Sequence, residues 1–480
     1  MRTMRNDEKV EPCVLRFFGC AFIDFDSSAP SEERQRAYGH IALPTLVFLQ
    51  RHTMGTDSFH ALDDNFTEAI RDPLWGHVYL TGALTELLSS PAFQKLTRIR
   101  QLGPAAAVYP GATHTRAAHS IGVYHLARRL LRSLLERGAD AWTSGTGVKS
   151  FLVAALLHDL GHFPYAHSLK ELPLEDHEAL TGKLILSEAL KPLVAKTGAD
   201  PQLCAAIVDR SHPAGDDVEV IFFRQLLSGV LDPDKLDYLN RDARNCGVPY
   251  GAQDVDFTFS RLFPHPDRGV EIDSRGTQSV EAVLFAKYLM YRSVYWHRTV
   301  RVATAMVKKA VITGLEAGAI RGGELYGLDD EGLFSLLASR SNPAFALAGW
   351  VREARFFELI HELPFDPAQK AHLELEKLET RGKKEQALAD GLSPIAGRAI
   401  LPHELIIDLP EPVSFETGLF VRDENCPFSR SSTVFRPEVV SSFTRSLRII
   451  RVCAPKDIAV ALRHSAEKTG RVFARVLLPA

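Results

Sequence analysis

The amino-acid sequence predicts a mainly α protein, with a helical core followed by a small α/β C-terminal domain. Three observations carry this. Apolar residues recur at helical intervals through most of residues 84–315, and the stretch from Phe151 to Leu157 is apolar at every position, as in a helix buried on all sides. From Ile400 onward, short apolar runs bounded by Pro, Asn and Asp read instead as strands. The chain has 480 residues, 45% of them hydrophobic, enough for a full core and for more than one domain. We expect a lead-in over 1–65, a helical core over 66–315, a helical extension over 316–399 and the α/β domain over 400–480.

In chain order, Val14 to Phe18 and Ile41 to Leu49 lack a sustained period, so residues 1–65 read as an irregular lead-in with one or two short strands. Leu74, His77, Tyr79 and Leu80, following Pro73, suggest a strand or hairpin, and Leu84–Leu88 and Phe93–Leu102 have helical spacing. From His119 to Leu135, Ile121, Val123, Leu126, Leu130, Leu131 and Leu134 form a broad apolar face, with Arg128, Arg129 and Arg132 elsewhere on the surface. Further helices are expected over Phe151–Leu160, Leu180–Leu193, Gln202–Asp209, Glu219–Leu227 and Ser279–Leu315, the last free of Pro and Gly until Gly314. A charged helix over Ala368–Ala389, interrupted at Gly382, forms a separate unit. Leu405–Leu409, Val413–Phe420 and Leu447–Val452 read as strands and Ala459–Thr469 as a closing helix.

Composition excludes several function classes. With 56 basic and 59 acidic side chains the formal charge is −3, so no overall positive field gathers nucleic acid or anionic lipid. The arginines at 98, 100, 116 and 128–132 read as a solvated face, which disfavours a nucleic-acid partner. Apolar runs fall far short of the ~20 residues that cross a bilayer. The six cysteines form no C-x-x-C pair and read as free thiols of a cytoplasmic protein. There is no Walker A pattern and no GxGxxG after a strand, so nothing supports a kinase-like or dinucleotide-binding reading.

The residues that carry chemistry are His119, the adjacent His158 and Asp159, and Asp234. Imidazole and carboxylate suit a divalent first-row metal, and four such ligands leave positions open for water and a substrate oxygen. An ionised carboxylate directly after FLVAALL is costly unless a cation or hydrogen bonds compensate. The pair sits inside HDLGHFPYAH, where His162 would share a helix face with His158 and His167 follows; His177, in EDHE, adds another titrating group.

These residues match the H…HD…D pattern of the HD-domain metal-dependent phosphohydrolases. More specifically, QLGPAAAVYPGATHTRAAHSIGVYHLA, LLHDLGHFPYAHSLK, DHE and LDPDKLDYLNRDARNCGV closely resemble the deoxynucleoside triphosphate triphosphohydrolases, in the same order and at compatible spacing, over residues 70–310. The resemblance implies a helical HD domain with His119, His158, Asp159 and Asp234 as metal ligands. The metal would be Mn, Fe, Zn or Ni, with Mg on the substrate phosphates. It also implies that His162 or His167 activates water or protonates the leaving oxygen, with His177 as the partner histidine across the site.

By the same resemblance, Arg116 and Lys235 are phosphate contacts and Tyr238 a hydroxyl donor beside them. A further family cation falls at Lys287 if the sugar-closing aromatic is Tyr295; Arg292 is the alternative. Gln101 and Asp242 resemble the residues that hold the sugar 3′-hydroxyl, with Leu102 packed where a 2′-hydroxyl would intrude. Where the eukaryotic relative carries an acid three places after the second histidine, this chain has Lys170, and the acid is Glu171. Its guanine-reading activator residues would fall at Ser89 and Thr97, which disfavours the same activation. The implied activity is hydrolysis of a deoxynucleoside triphosphate to deoxynucleoside and triphosphate by an oligomer, a dimer or tetramer. The alternatives are a phosphatase or phosphodiesterase for mono- or cyclic nucleotides, and a non-hydrolysing nucleotide sensor.

Overall fold

The computed structural model describes residues 57–478 apart from 214–216. The strands expected at Val14–Phe18 and Ile41–Leu49, with Cys13 and Cys20, lie outside those residues. Strands β1 (Glu68–Asp72) and β2 (Gly76–Leu80) form an antiparallel hairpin. Its turn is set by Asp72, whose Oδ1 accepts from the backbone N–H groups of Leu74 and Trp75. Alternation along β2 buries Val78 and Leu80. Two short helices, Gly82–Leu88 and Pro91–Leu96, lead to the core.

The core is built on α1 (Arg116–Leu135) and α2 (Gly145–Leu157), packed on each other and on α4 (Pro201–Val208) and α6 (Pro233–Cys246); α3 (His177–Ile185) and α5 (Val218–Leu227) complete it. Serine and threonine start the first two: the Thr115 hydroxyl accepts from Ala118 N and that of Ser144 from Gly147 N. Aspartates cap α3 to α6, at Asp176, Asp200, Asp217 and Asp232. On α2, Phe151, Leu152, Val153, Leu156 and Leu157 are all buried, each contributing roughly 1.5–3 kcal/mol. That burial fixes where the chain leaves the helix, and hence where His158 and Asp159 sit.

Strands β3 (Leu262–His265) and β4 (Gly269–Ile272) pair antiparallel, and α7 (Thr277–Met290) follows. The uninterrupted helix expected over Ser279–Leu315 is in fact two. A π turn at Tyr291–Tyr295 separates α7 from α8 (Arg298–Glu316), which the His297 side chain caps by accepting from Thr299 N. The cause is tertiary: the Tyr109 hydroxyl donates to Ser293 O at 2.5 Å, and Tyr295 reaches inward to Asp242. Similarly, the helix expected over Leu180–Leu193 ends at Ile185 and a new one starts at Lys191.

Beyond α8, β5 (Glu358–Pro364), α9 (Leu378–Ala396), β6 (Ile406–Asp408), β7 (Phe420–Val421), β8 (Cys426–Pro427), α10 (Pro437–Leu447), β9 (Ile449–Ala454), α11 (Lys456–His464) and α12 (Ala466–Leu477) follow in order. The expected helical extension over 316–399 therefore contains a strand, β5, which pairs antiparallel with β9, itself paired to β6. Likewise β7 adds in parallel to β4. Apolar residues of α8 such as Val302 and Met306 pack with Phe163, Phe345, Phe357 and Ile406, so one core crosses the boundaries expected at 315 and 399. The strand expected over Val413–Phe420 is reduced to Phe420–Val421, and the closing helix is two helices that meet at Ser465. Among the described residues, no helix is long and apolar enough to cross a membrane.

Candidate metal centre and active site

Three helices deliver the centre. His119 lies one turn into α1, His158 ends α2 with Asp159 next to it, and Asp234 opens α6. His119 Nε2 lies 2.9 Å from Asp234 Oδ1 and 4.0 Å from Asp159 Oδ2. His158 Nε2 lies 3.5 Å from Asp159 Oδ1 and 3.7 Å from Asp234 Oδ1. Ligand atoms of His119, His158 and Asp159 all fall within 4.8 Å of one another. Each imidazole spends Nδ1 on a protein acceptor, His119 on Asp237 Oδ2 at 2.8 Å and His158 on the Ala155 carbonyl at 3.0 Å, which leaves Nε2 of each aimed at the carboxylates. His158 Nε2 is buried without a hydrogen-bond partner. Two directed imidazole nitrogens and two carboxylates, one nitrogen orphaned, fit a divalent cation.

Electrostatics point the same way. Burial disfavours charge on His119, but Asp234 and Asp237 outweigh it and push the imidazole up to about 10. Burial would raise Asp159, yet His158, Arg116 and His119 hold it far below the usual carboxylate range. The carboxylate of Asp159 thus stays ionised, the form in which it can serve as a metal ligand. Arg116 donates to Asp159 Oδ2 at 2.7 Å from the first turn of α1.

Asp237, which sequence reasoning missed, anchors the second layer. It is fully buried and accepts from His119 Nδ1, from Arg241 Nε at 2.8 Å and Nη2 at 2.9 Å, and from Trp75 Nε1 at 2.5 Å. Arg241 reaches on to Asp72 of the hairpin at 2.9 Å. Gly122 makes room for this layer, because a Cβ there would stand 1.9 Å from Asp237 Oδ1. The only sequence signal was Asp-x-x-x-Arg at helical spacing from 237 to 241, which also describes an ordinary surface pair.

His162, His167 and His177 form a second cluster, with ring centroids 4.3 to 5.1 Å apart. The shared helix face expected for His158 and His162 is not what brings His162 here, since α2 ends at Leu157 and residues 158–165 run as turns and irregular chain. Gly161 permits the turn to meet α3: a Cβ there would lie 2.2 Å from His177 O. Thr181 bolts the two together, its hydroxyl accepting from Gly161 N at 2.8 Å. His162 is fully buried, 3.4 Å from Asp159, whereas His167 faces solvent. Burial first, then Arg116 and the neighbouring imidazoles, push His162 well below the usual histidine range, so it stands neutral.

The remaining sequence-derived residues divide. Asp242 accepts from Tyr295 Oη at 2.7 Å and pairs with His114 Nε2 at 2.8 Å; the Tyr238 ring lies 6.4 Å from that of Tyr295. The Gln101 side-chain oxygen is buried without a partner, and Leu102 packs beside Ala105 and Val300. Lys235 Nζ is held by Asp232 at 2.7 Å and Glu416 at 2.9 Å, and the buried Lys287 donates to Ser414 O at 2.7 Å. Arg292 is exposed and donates to Tyr288 Oη at 3.0 Å. Glu171 is engaged elsewhere, forked by Arg381 at 2.9 Å on both oxygens and paired with Lys308.

Fold and centre together define an HD-type protein. Residues 116–218 match the HD domain and residues 263–474 the HD associated region. These matches, with the fold, support an HD-domain metal-dependent phosphohydrolase that is similar to the deoxynucleoside triphosphate triphosphohydrolase branch. It is 33% identical over 245 residues to the uncharacterized protein YwfO of Bacillus subtilis, covering 50% of this chain and 54% of that one. It is 27% identical over 276 residues to the human deoxynucleoside triphosphate triphosphohydrolase SAMHD1, covering 51% and 44%. The chain therefore spans about half the length of these curated relatives. A crystal structure of a hypothetical protein from Aquifex aeolicus shares the fold with a TM-score of 0.63 at 24% identity, covering 85% of this chain and 99% of that one.

Proposed function

We propose that this protein hydrolyses deoxynucleoside triphosphates to a deoxynucleoside and inorganic triphosphate, with water attacking the α-phosphorus, in the cytoplasm and as a homo-oligomer. One observation carries the reading. Helix α6 presents Asp234, Tyr238 and Asp242 at four-residue steps, so a metal ligand and a sugar-binding carboxylate share one face ~12 Å apart. That is the reach of a nucleotide's phosphate and sugar together. The human relative is a deoxynucleoside triphosphate triphosphohydrolase, which supports the same substrate class, and the four free thiols among the described cysteines fit a reducing compartment.

A divalent metal held by His119, His158, Asp159 and Asp234 would supply positive charge to polarise a phosphoryl oxygen and to make water acidic. The chain does the rest. Arg116 and Lys235 neutralise charge on the triphosphate under attack, while the deoxynucleoside leaves through O5′. Asp242, oriented by His114 and Tyr295, accepts from the sugar 3′-hydroxyl, with Gln101 beside it. A neutral imidazole, which we assign to His167 because it faces solvent, takes the proton of the attacking water as the O–Pα bond forms. That proton reaches O5′ as the Pα–O5′ bond breaks. His162 and His177 hold His167 in place.

Ion-exchange analysis of the products formed from each dNTP, NTP and NMP with Mn²⁺ or Mg²⁺, alongside Asp159→Ala, tests this. Deoxynucleoside with intact triphosphate, absent in the variant, is the expected result. Turnover of monophosphates alone would move the protein to the phosphatase reading. Ligand that binds but survives long incubation would make it a sensor.

A further inference from the structure

We infer that Glu416 is a built-in competitor for the substrate's phosphate chain, seated on the cationic subsite of Lys235 and Lys287 and setting how tightly that subsite takes polyphosphate. The inference rests on the reading of those lysines as phosphate contacts. Residues 411–418 run irregularly between β6 and β7, where the alternating sequence would otherwise favour a strand. The segment is pinned by Phe415, buried with its ring 5.7 Å from that of Phe443. On either side of that anchor it touches the site: the Ser414 carbonyl accepts from Lys287 at 2.7 Å, and the Glu416 carboxylate meets Lys235 at 2.9 Å. Lys287 also lies 5.6 Å from the Phe415 ring centroid.

Charge counting shows what the contact does. Lys235 already has a permanent counter-ion in the buried Asp232, 2.7 Å away on its own helix. With Glu416 in place, two lysines face two carboxylates and the subsite offers no net positive charge. When Glu416 leaves, one unit of positive charge appears where the phosphate chain would lie. Asp232 caps α6 and cannot leave, whereas Glu416 stands on an irregular segment with 42% of its side chain exposed. A triphosphate therefore displaces Glu416, and that displacement is a fixed cost against binding.

Removing the competitor should tighten binding by what a half-exposed ion pair is worth, about two- to five-fold. The experiment is calorimetric titration of the full chain with inorganic tripolyphosphate at constant ionic strength, comparing the parent with Glu416→Gln, Glu416→Lys and Lys235→Met. We expect Glu416→Gln to lower Kd two- to five-fold and Glu416→Lys to lower it further, with KM for the triphosphate substrate falling in parallel. Equal or weaker binding in both Glu416 variants, while Lys235→Met loses affinity, overturns the inference and leaves the phosphate subsite standing. Undiminished binding by Lys235→Met overturns the subsite itself, and the inference with it.

Discussion

Replacing Asp237 with Asn would test how the centre is held. All four groups around this carboxylate are donors: His119 Nδ1, Trp75 Nε1 and two nitrogens of Arg241. Asparagine keeps one acceptor oxygen and turns an NH2 toward donors on the other side, whichever way it is flipped. If that NH2 faces His119, the imidazole responds by moving its proton to Nε2, the atom that faces Asp159 and Asp234. Changes of this kind behind a metal ligand cost 10–100-fold in metal affinity, ~1.4–2.7 kcal/mol. The fold loses less than the full charge pair, since Arg241 keeps Asp72 at 2.9 Å; at least one unsatisfied buried donor costs about 1–3 kcal/mol. The assay is competition for Mn²⁺ against a chromophoric chelator, with urea unfolding of the same samples. A folded Asp237→Asn protein that binds metal within two-fold of the parent would refute the role given to Asp237.

Gly161→Ala should lower kcat at least ten-fold and destabilise by about 1–3 kcal/mol, because its Cβ would meet His177 O at 2.2 Å and Thr181 N at 2.6 Å and push the two histidine-bearing segments apart; steady-state kinetics with thermal unfolding reads both. Lys95 is buried and donates to Leu160 O at 2.9 Å and His162 O at 2.7 Å, holding the turn after the His-Asp pair. Lys95→Met should cost roughly 2–4 kcal/mol in urea unfolding, as two buried carbonyls lose their donor. Burial works against the charge on Glu171, but Lys308 and Arg381 outweigh it and hold its carboxyl below the usual glutamate range. A depressed carboxyl stabilises above its unfolded value and loses that contribution as pH falls through the folded value. The stability gap between parent and Arg381→Met should therefore be widest near pH 7 and shrink below pH 4.5, measured by denaturant unfolding across that range.

The centre was legible because its residues break a pattern. His158 and Asp159 follow an unbroken apolar run, and only a buried cation or a set of hydrogen bonds makes a carboxylate tolerable there. The helical core and the short C-terminal strands were legible from periodicity in the same way. What stayed hidden depends on contacts distant in sequence. Leu160 prolonged the apolar run past the true helix end at Leu157, since nothing local announces that Gly161 docks on α3. YRSVYWH contains neither Pro nor Gly, and the π turn there answers to Tyr109 and Asp242, far away in the chain. Asp237 sits among ordinary helix-surface polar residues until the fold places Trp75 and His119 against it. The alternation from Val413 reads as a strand, but the Ser414 carbonyl is taken by Lys287 and that of Val413 by the Thr444 hydroxyl.

The most direct measurement of the central claim is hydrolysis of a deoxynucleoside triphosphate in H₂¹⁸O with mass spectrometry of both products. Attack at the α-phosphorus puts one ¹⁸O in intact triphosphate and none in the deoxynucleoside. Label in the nucleoside, or in inorganic phosphate released stepwise from the other end of the chain, would contradict it.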